Sequence, residues 1–383
     1  MRTDICDLLD IEFPIFAFSH CRDVVAAVSR AGGFGVLGAV GFTPEQLAAE
    51  LDWIDKEVGD NSYGVDIVIP QNDAGAEEGD PARLHEKLLG QVPPEHFAYA
   101  KKILSDHGVP ELPPGEFHNG LLVRSTSTTA RLHAAEALRH PKVRCVANAL
   151  GAPPQDLTGQ IHEAGRLVIG LCGSVEHAQR HVANGVDIIV AQGAEGGGHT
   201  GYIGSLVLWP QVVEAVAPVP VLAAGGIGSG AQVAAALALG AQGVWSGTIW
   251  LGTEESELTD QQRDALVVAR SQDAIISRSL TGKRSRMLKS GWTEAWEKPE
   301  APVPLPLPLQ DLVAGEAVTR LSRYPEYSRD VHITPAGQVA GQIKQVRRAS
   351  DVLLELAGEY VETTERLNAL NERLDAAPGT AAK

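Results

Sequence analysis

The chain has 383 residues, 44% of them hydrophobic, enough for one large core with an appendage or for two domains. Its 32 Lys and Arg stand against 48 Asp and Glu, a net charge of −16 that argues against a nucleic-acid or anionic-membrane partner and requires a local positive field to draw in any anionic ligand. No apolar run is long enough to span a bilayer and no basic-then-apolar signal segment opens the chain, which points to a cytoplasmic protein. The four cysteines, Cys6, Cys21, Cys145 and Cys172, form no Cys-x-x-Cys pair, so a disulfide framework or a zinc site is not expected and buried neutral thiols are.

Taken in order, Pro14 to Phe18 is a short apolar strand, followed by a helical run from Val24 to Arg30 that Ala31-Gly-Gly33 ends. Phe34 to Leu37 is a second strand. Thr43-Pro-Glu-Gln46 starts a helix with a capping residue, a first-position proline and a glutamine three residues on. Tyr63 to Ile69 is a third strand, closed by Pro70. Residues 71–119 break the rhythm and read as an enlarged connection with helical patches at Pro81–Gly90 and Pro94–Asp106. Leu121 to Val123 is a further short strand candidate, and Ser125–His140 is helical.

The alternation then resumes. Strands are expected at Val143–Ala147, Leu167–Leu171, Ile188–Ala191, Val221–Ala224 and Gly243–Trp245. Between them lie helices at Leu157–Ala164, Val175–Asn184, Val212–Val216 and the alanine-rich Ala231–Leu239. Strand then helix, repeated eight times with continuous apolar strands, describes a parallel sheet covered on its faces and closed as an α/β TIM barrel. An open doubly wound sheet would prefer one early Gly-x-Gly-x-x-Gly loop with an acidic residue about twenty positions on. Here the glycine-rich loops come late, in units six to eight, at strand ends where such barrels hold phosphate.

After Trp250 the pattern changes. Glu254–Ser271 is polar and helical, Arg278–Lys289 carries five basic residues, Pro299 to Pro308 is an extended connector, and Gln338 to Leu374 forms one or two amphipathic helices. The expected organisation is a barrel over residues 1–252, completed by C-terminal helices within 335–383, with a smaller helical cap subdomain over 253–334. The amphipathic C-terminal helix serves core packing or a homodimer face. Residues 375–383 are expected to fray.

The chemistry concentrates in Ile188-Ile-Val-Ala-Gln-Gly-Ala-Glu-Gly-Gly-Gly-His-Thr-Gly201, a strand giving way to a glycine loop with one ionisable ring, His199. Val221-Leu-Ala-Ala-Gly-Gly-Ile-Gly228 and Gly243-Val-Trp-Ser-Gly-Thr248 repeat the strand-then-glycine form. Three such loops suit one phosphate-bearing cofactor, because glycines let backbone amides approach an anion and adopt positive φ. The blander alternatives are a structural histidine, a tight turn at Gly225-Gly226, a bracing Glu195, and a solvated basic face at 278–289.

On these stretches, with Ala235 to Thr248 and weaker matches at Val28–Gly35, Gly64-Val-Asp66, Thr293–Trp296 and Ala336–Gln338, the chain resembles the nitronate monooxygenase family of flavin-binding TIM barrels. The resemblance implies FMN. By position, Gln192, Gly197 and Gly198 would contact it, and Gly225, Gly226 and Trp245-Ser246-Gly247-Thr248 would hold its phosphate. Phe18 would lie near the isoalloxazine. Where the family usually has Ala-Pro-Met, this chain has Ala17-Phe-Ser-His20, which brings a second imidazole to the pocket. Asp66 stands where Asn is usual, and when ionised it would present acceptors only.

His199 matches the family's active-site histidine, expected to act as a base or as a partner to an anionic substrate. The activity implied is oxidation of a small-molecule alkyl nitronate with O2. The alternative is an NAD(P)H-dependent reductase on the same barrel, with a quinone or an enoyl- or CoA-thioester substrate, as in the related enoyl-acyl-carrier-protein reductases.

Overall fold

The structure, a computed structural model, describes residues 1–69, 81–113 and 126–375. The expected strand at Leu121–Val123, the closing Pro70, residues 71–80 and 114–119 of the enlarged connection, and the chain end 376–383 lie outside the described residues.

Eight parallel strands close into a barrel: β1 (Ile15–Ser19), β2 (Phe34–Gly38), β3 (Tyr63–Val68), β4 (Val143–Ala149), β5 (Leu167–Cys172), β6 (Ile188–Gln192), β7 (Val221–Ala224) and β8 (Gly243–Ser246). Each pairs with the next in sequence, and β8 returns to β1 through Ile15↔Val244 and Ala17↔Ser246. The architecture is a TIM barrel. The eight expected strands all form, with ends moved by a residue or two, because continuous apolar runs have to bury both faces.

The two faces divide the residues by alternation. Tyr63, Val65 and Ile67 point outward into the helix-facing core, whereas Phe16, Phe34, Val36, Ile169, Ile188, Val190 and Leu222 fill the barrel interior. A six-residue helix, Asp4–Leu9, seals the lower end by adding Ile5, Cys6 and Leu9 to that interior cluster. It is too short to show a helical period in the sequence. Toward the strand C-termini the inward residues shrink to Gly38, Asp66, Ala147 and Ala224, and the interior opens.

Beyond the barrel, the helix Asp260–Val268 starts at Thr259, whose hydroxyl and Gln262 form a capping box. That cap trims the expected 254–271 helix at its start. The segment 253–334 is not purely helical. Ala274–Ser277 pairs antiparallel with Ser285–Leu288, which in turn pairs with the two residues Gly198–His199. Four-residue strands carry no readable period, and one partner is supplied by a glycine loop far away in sequence. The helices Gly291–Trp296 and Leu309–Arg323 share a second core with Pro81–Leu89 and Pro94–Asp106, in which Trp292, Trp296 and Leu312 meet Leu84, Ile103 and Leu104. The enlarged connection and the post-barrel segment are therefore one packing unit.

The expected 338–374 helices appear as a short 3-10 turn, Gln338–Gln342, and one helix, Ala349–Asp375. That helix packs on the helix Gly230–Ala238, where Glu359 Oε2 accepts the amide proton of Gly230 at 2.6 Å. Among the described residues no helix is long and apolar enough to cross a membrane.

Gly230 is where this closing contact is tightest, since a Cβ there would lie 2.3 Å from Tyr360 N and 2.4 Å from Leu356 O. Gly230→Ala should therefore destabilise the protein by about 1–3 kcal/mol, as overpacking does. Urea unfolding measures it; an unchanged midpoint would show that the C-terminal helix yields freely.

Candidate active site

The open end of the barrel leads into a cavity of about 1400 Å³ bounded by the C-terminal strand ends and by parts of the 253–334 segment. Every residue singled out from the sequence lines it: Phe18 and Asp66 from β1 and β3, Gln192, Gly197, Gly198 and His199 from the loop after β6, Gly225 and Gly226 after β7, and Trp245, Ser246, Gly247 and Thr248 at β8. His20 lines it too, with Nδ1 3.1 Å from the carbonyl oxygen of Gly38.

The loop after β7 turns on two glycines with φ of 87° and 81°, in the left-handed region that side chains avoid. Gly225 also has no room for a Cβ, which would sit 2.7 Å from Gly193 O. Among the described residues, the amides of Gly225 and Gly226 donate to no backbone carbonyl. Such paired free amides at a strand end form a cradle for an anion.

The β6 loop is braced from several sides. Gln192 Nε2 donates to the carbonyls of Gly197 and His199, both at 3.3 Å. Glu195 is a bracing residue: its carboxylate accepts from Ser205 N and from Ser205 Oγ at 2.8 Å. It thereby caps the helix Ser205–Val216, whose own N-cap, Gly204, has no side chain to offer. For that reason the helix begins seven residues before the expected Val212. Arg286 is buried, not solvated, and its guanidinium holds Ala194 O at 3.0 and 2.8 Å. The basic stretch thus divides, with Arg286 bracing the loop while Lys283 and Arg284 face the cavity mouth. Gly197 lets the chain at Ala336-Gly337 approach, since a Cβ there would lie 2.7 Å from Gly337 N.

His199 sits on the short bridge to Ser285, with Nε2 2.7 Å from Thr281 Oγ1. Burial, helped by the positive charge of Lys283, lowers its pKa to about 4. The ring is neutral across the physiological range. Asp66 moves the opposite way: burial raises its pKa to about 8, and its Oδ1 has no hydrogen-bond partner. Both shifts follow from desolvation disfavouring the charged form.

The β8 segment divides its tasks. The Trp245 ring stacks between Phe16 and Phe18, with centroids 6.1 and 6.0 Å away, and so forms cavity floor. Ser246 Oγ donates to Phe16 O at 3.3 Å and accepts from Trp250 Nε1 at 3.1 Å. Thr248 Oγ1 accepts from Gly337 N at 2.8 Å, which leaves its proton free to donate. Thr281 and Arg286 were not singled out from the sequence. Their only signal was membership of, or nearness to, a basic cluster, and their role depends on a strand pairing that joins residue 199 to 285.

The residues present fit a flavin nucleotide on the structure's own terms. They combine an amide cradle, a free hydroxyl proton, an aromatic floor and an orphaned buried acid around one cavity. Among the described residues no cluster of three or more His, Cys, Asp or Glu is placed to hold a metal ion.

Comparison with known proteins agrees with this geometry. A profile of the nitronate monooxygenase family matches residues 2–359. The Mycobacterium tuberculosis protein Rv1533, which carries the provisional name of a monooxygenase, is 43% identical over 97% of this chain and 100% of its own length. Among solved structures, a nitroalkane oxidase from Streptomyces ansochromogenes superposes with a TM-score of 0.76 at 25% identity, covering 95% of this chain and 99% of that one. FabK from Thermotoga maritima gives 0.71 at 25% identity, covering 97% and 99%.

The depressed histidine has a measurable consequence. Unfolded His199 binds a proton near pH 6.5, whereas the folded ring does so only near pH 4. The unfolded state therefore holds more protons in that window, and stability falls as pH drops from about 6.5 to 4. His332, likewise lowered to about 4 by burial, adds to the same loss. His199→Gln should flatten part of the decline in urea-unfolding stability between pH 6.5 and 4.5, and NMR should find the His199 ring untitrated at pH 5. A ring titrating near 6.5 would contradict the burial argument.

Proposed function

This chain belongs to the nitronate monooxygenase family, and we propose that it is an FMN-dependent enzyme oxidising alkyl nitronates with O2, His199 being the catalytic residue. That it is a flavin-dependent oxidoreductase follows from the family. The nature of the flavin, the substrate and the site roles are our inference. The observation that carries it is the convergence of the amide cradle at Gly225-Gly226 and the neutral His199 on one cavity.

In this proposal Gly225, Gly226, Gly247 and Thr248 hold the phosphate with amides and one hydroxyl. Gln192, Gly197, Gly198 and Asp66 meet the rest of the flavin, and Phe18 with Trp245 forms the apolar floor. When bound, FMN supplies the electron-accepting and O2-reactive chemistry. A pKa near 4 makes His199 a weak base, poorly matched to removing a carbon-bound proton at neutral pH. That favours the nitronate, which has already lost that proton, over the neutral nitroalkane. The charge of Lys283, which adds to the effect of burial on His199, attracts an anion, and an anion bound beside the ring would raise its pKa again. Thr281 fixes Nε2, so Nδ1 is the atom left to meet substrate.

A second reading, a reductase using NAD(P)H on a quinone, enoyl-thioester or CoA-thioester, has one observation in its favour. The cavity extends beneath the 253–334 segment along Leu258, Leu280, Val318 and Leu321, with Arg180, Lys283 and Arg284 at its wall, which is more room than a small nitronate fills.

Oxygen uptake decides between them. The FMN-loaded protein should consume O2 with an alkyl nitronate and no pyridine nucleotide, and His199→Asn should keep FMN while losing about a hundredfold or more of turnover. Anaerobic bleaching of the flavin by NADH or NADPH, with no nitronate-dependent uptake, would replace this proposal with the reductase.

A further inference from the structure

Asp66 is the one carboxyl group placed inside the barrel at the cavity end without a partner among the described residues. It occupies the inward register of β3, alternating with Val65 and Ile67, which face the helices. Its strand neighbours are Gly38 on β2 and Ala147 on β4, neither of which brings a polar side chain. It is 4% exposed, and its Oδ1 meets no donor although the residue lines the cavity. An ionised carboxylate in such a place would carry an uncompensated buried charge.

The groups around it do not rescue the charge. β2 (Phe34–Gly38) has no ionisable side chain. On β4, Arg144 is exposed on the outer face and Cys145 lies one inward layer below, beside Gly64. β1 carries no ionisable side chain, and just beyond it the His20 ring packs over Gly38 with Nδ1 3.1 Å from that residue's carbonyl oxygen. Elsewhere on the cavity wall stand His199, tied to Thr281, the histidines His177 and His181, the cations Arg180, Lys283 and Arg284, and the acids Glu257 and Asp311, and none of them gives Asp66 Oδ1 a hydrogen bond. Burial alone accounts for the displaced ionisation of Asp66.

A protonated carboxyl offers one donor and one acceptor, the pattern of a side-chain amide, whereas an ionised one offers acceptors only. We infer that Asp66 enters the flavin site as a neutral acid that donates a hydrogen bond to an acceptor of the flavin ring, so that its proton is a condition of cofactor binding. This rests on the FMN assignment above. It also reverses the concern that an aspartate at this position presents acceptors only, because in this cavity the group keeps its proton.

With the group's ionisation near pH 8, the binding-competent, protonated fraction is close to one at pH 7 and falls about tenfold per pH unit well above 8. Apparent affinity scales with that fraction. The FMN phosphate gives no competing transition there, since it has lost its second proton near pH 6, and any alkaline ionisation of the flavin ring is shared by the Asp66→Asn variant, so the difference between wild type and that variant isolates the carboxyl.

The test is the FMN dissociation constant of the flavin-free protein, read by fluorescence quenching between pH 7 and 9.5, for wild type, Asp66→Asn and Asp66→Ala, with circular dichroism confirming the fold. The wild-type constant should be level near pH 7 and rise about tenfold per unit at the alkaline end. Asp66→Asn, which keeps a donor that cannot ionise, should bind tightly with no such rise, and Asp66→Ala should bind more weakly but equally without it. Riboflavin should show the same inflection as FMN on wild type. A pH-independent wild-type constant, an Asn variant with the wild-type slope, or an inflection seen with FMN alone would each overturn the inference while leaving the flavin assignment standing. Absence of FMN binding at every pH would remove the assignment and the inference together.

Discussion

A parallel barrel has one interior, and eight strands have to share it. Here the lower layers are filled by Phe16, Phe34, Ile169, Ile188 and Leu222, and the N-terminal helix closes the base with Ile5 and Leu9. At the other end the inward positions of β2, β3, β4 and β7 hold only Gly38, Asp66, Ala147 and Ala224, while Phe18 and Trp245 form an aromatic floor on the β1–β8 side. Close packing below and small residues above leave a cavity at the strand C-termini, where the backbone emerges with amides still to be satisfied. Were large residues continued to the top layer, the same topology would give a solid core with no site.

The cavity also sets the ionisation states within it. Asp66 is buried and His199 partly buried, and desolvation pushes each toward its neutral form, the acid upward and the imidazole downward. A net charge of −16 across the chain does not control this site. Its lining carries the cations Arg180, Lys283 and Arg284, the last held 4.7 Å over the ring of Tyr202, and the acids Glu257 and Asp311. The three cations on the wall supply a local positive field that the net charge of the chain does not.

The loop bearing His199, mostly glycine, is tied internally by Gln192 and Thr200 and is also held by distant side chains. Glu195 ties it to the helix at Ser205, Arg286 grips Ala194 O, Gln338 N donates to Glu195 O at 3.0 Å, and Ser285 pairs with His199 itself. The segment after the barrel therefore does two things at once: it roofs the cavity and fixes the imidazole. Its packing unit with the helices at 81–106 gives that roof a core separate from the barrel's. Glycine supplies the freedom for close approach, and the roof removes that freedom at the one ring that has to be placed.

Much of this was legible in the residues alone. Continuous apolar runs separated by helical patterns specify buried parallel strands, and eight of them specify closure; glycines after Gln192, Ala224 and Ser246 mark the rim, so all twelve expected site residues meet at one cavity. What periodicity could not show is anything that depends on partners remote in sequence. The pairing of residues 198–199 with 285–286, the cap that Glu195 provides to Ser205, and the burial of Arg286 all arise between segments that share no local pattern. Above all, Asp66 reads in sequence as an ionised carboxylate, because that is what water makes of it. Only the closed barrel, by removing the water and placing no donor at Oδ1, pushes its ionisation up to about 8.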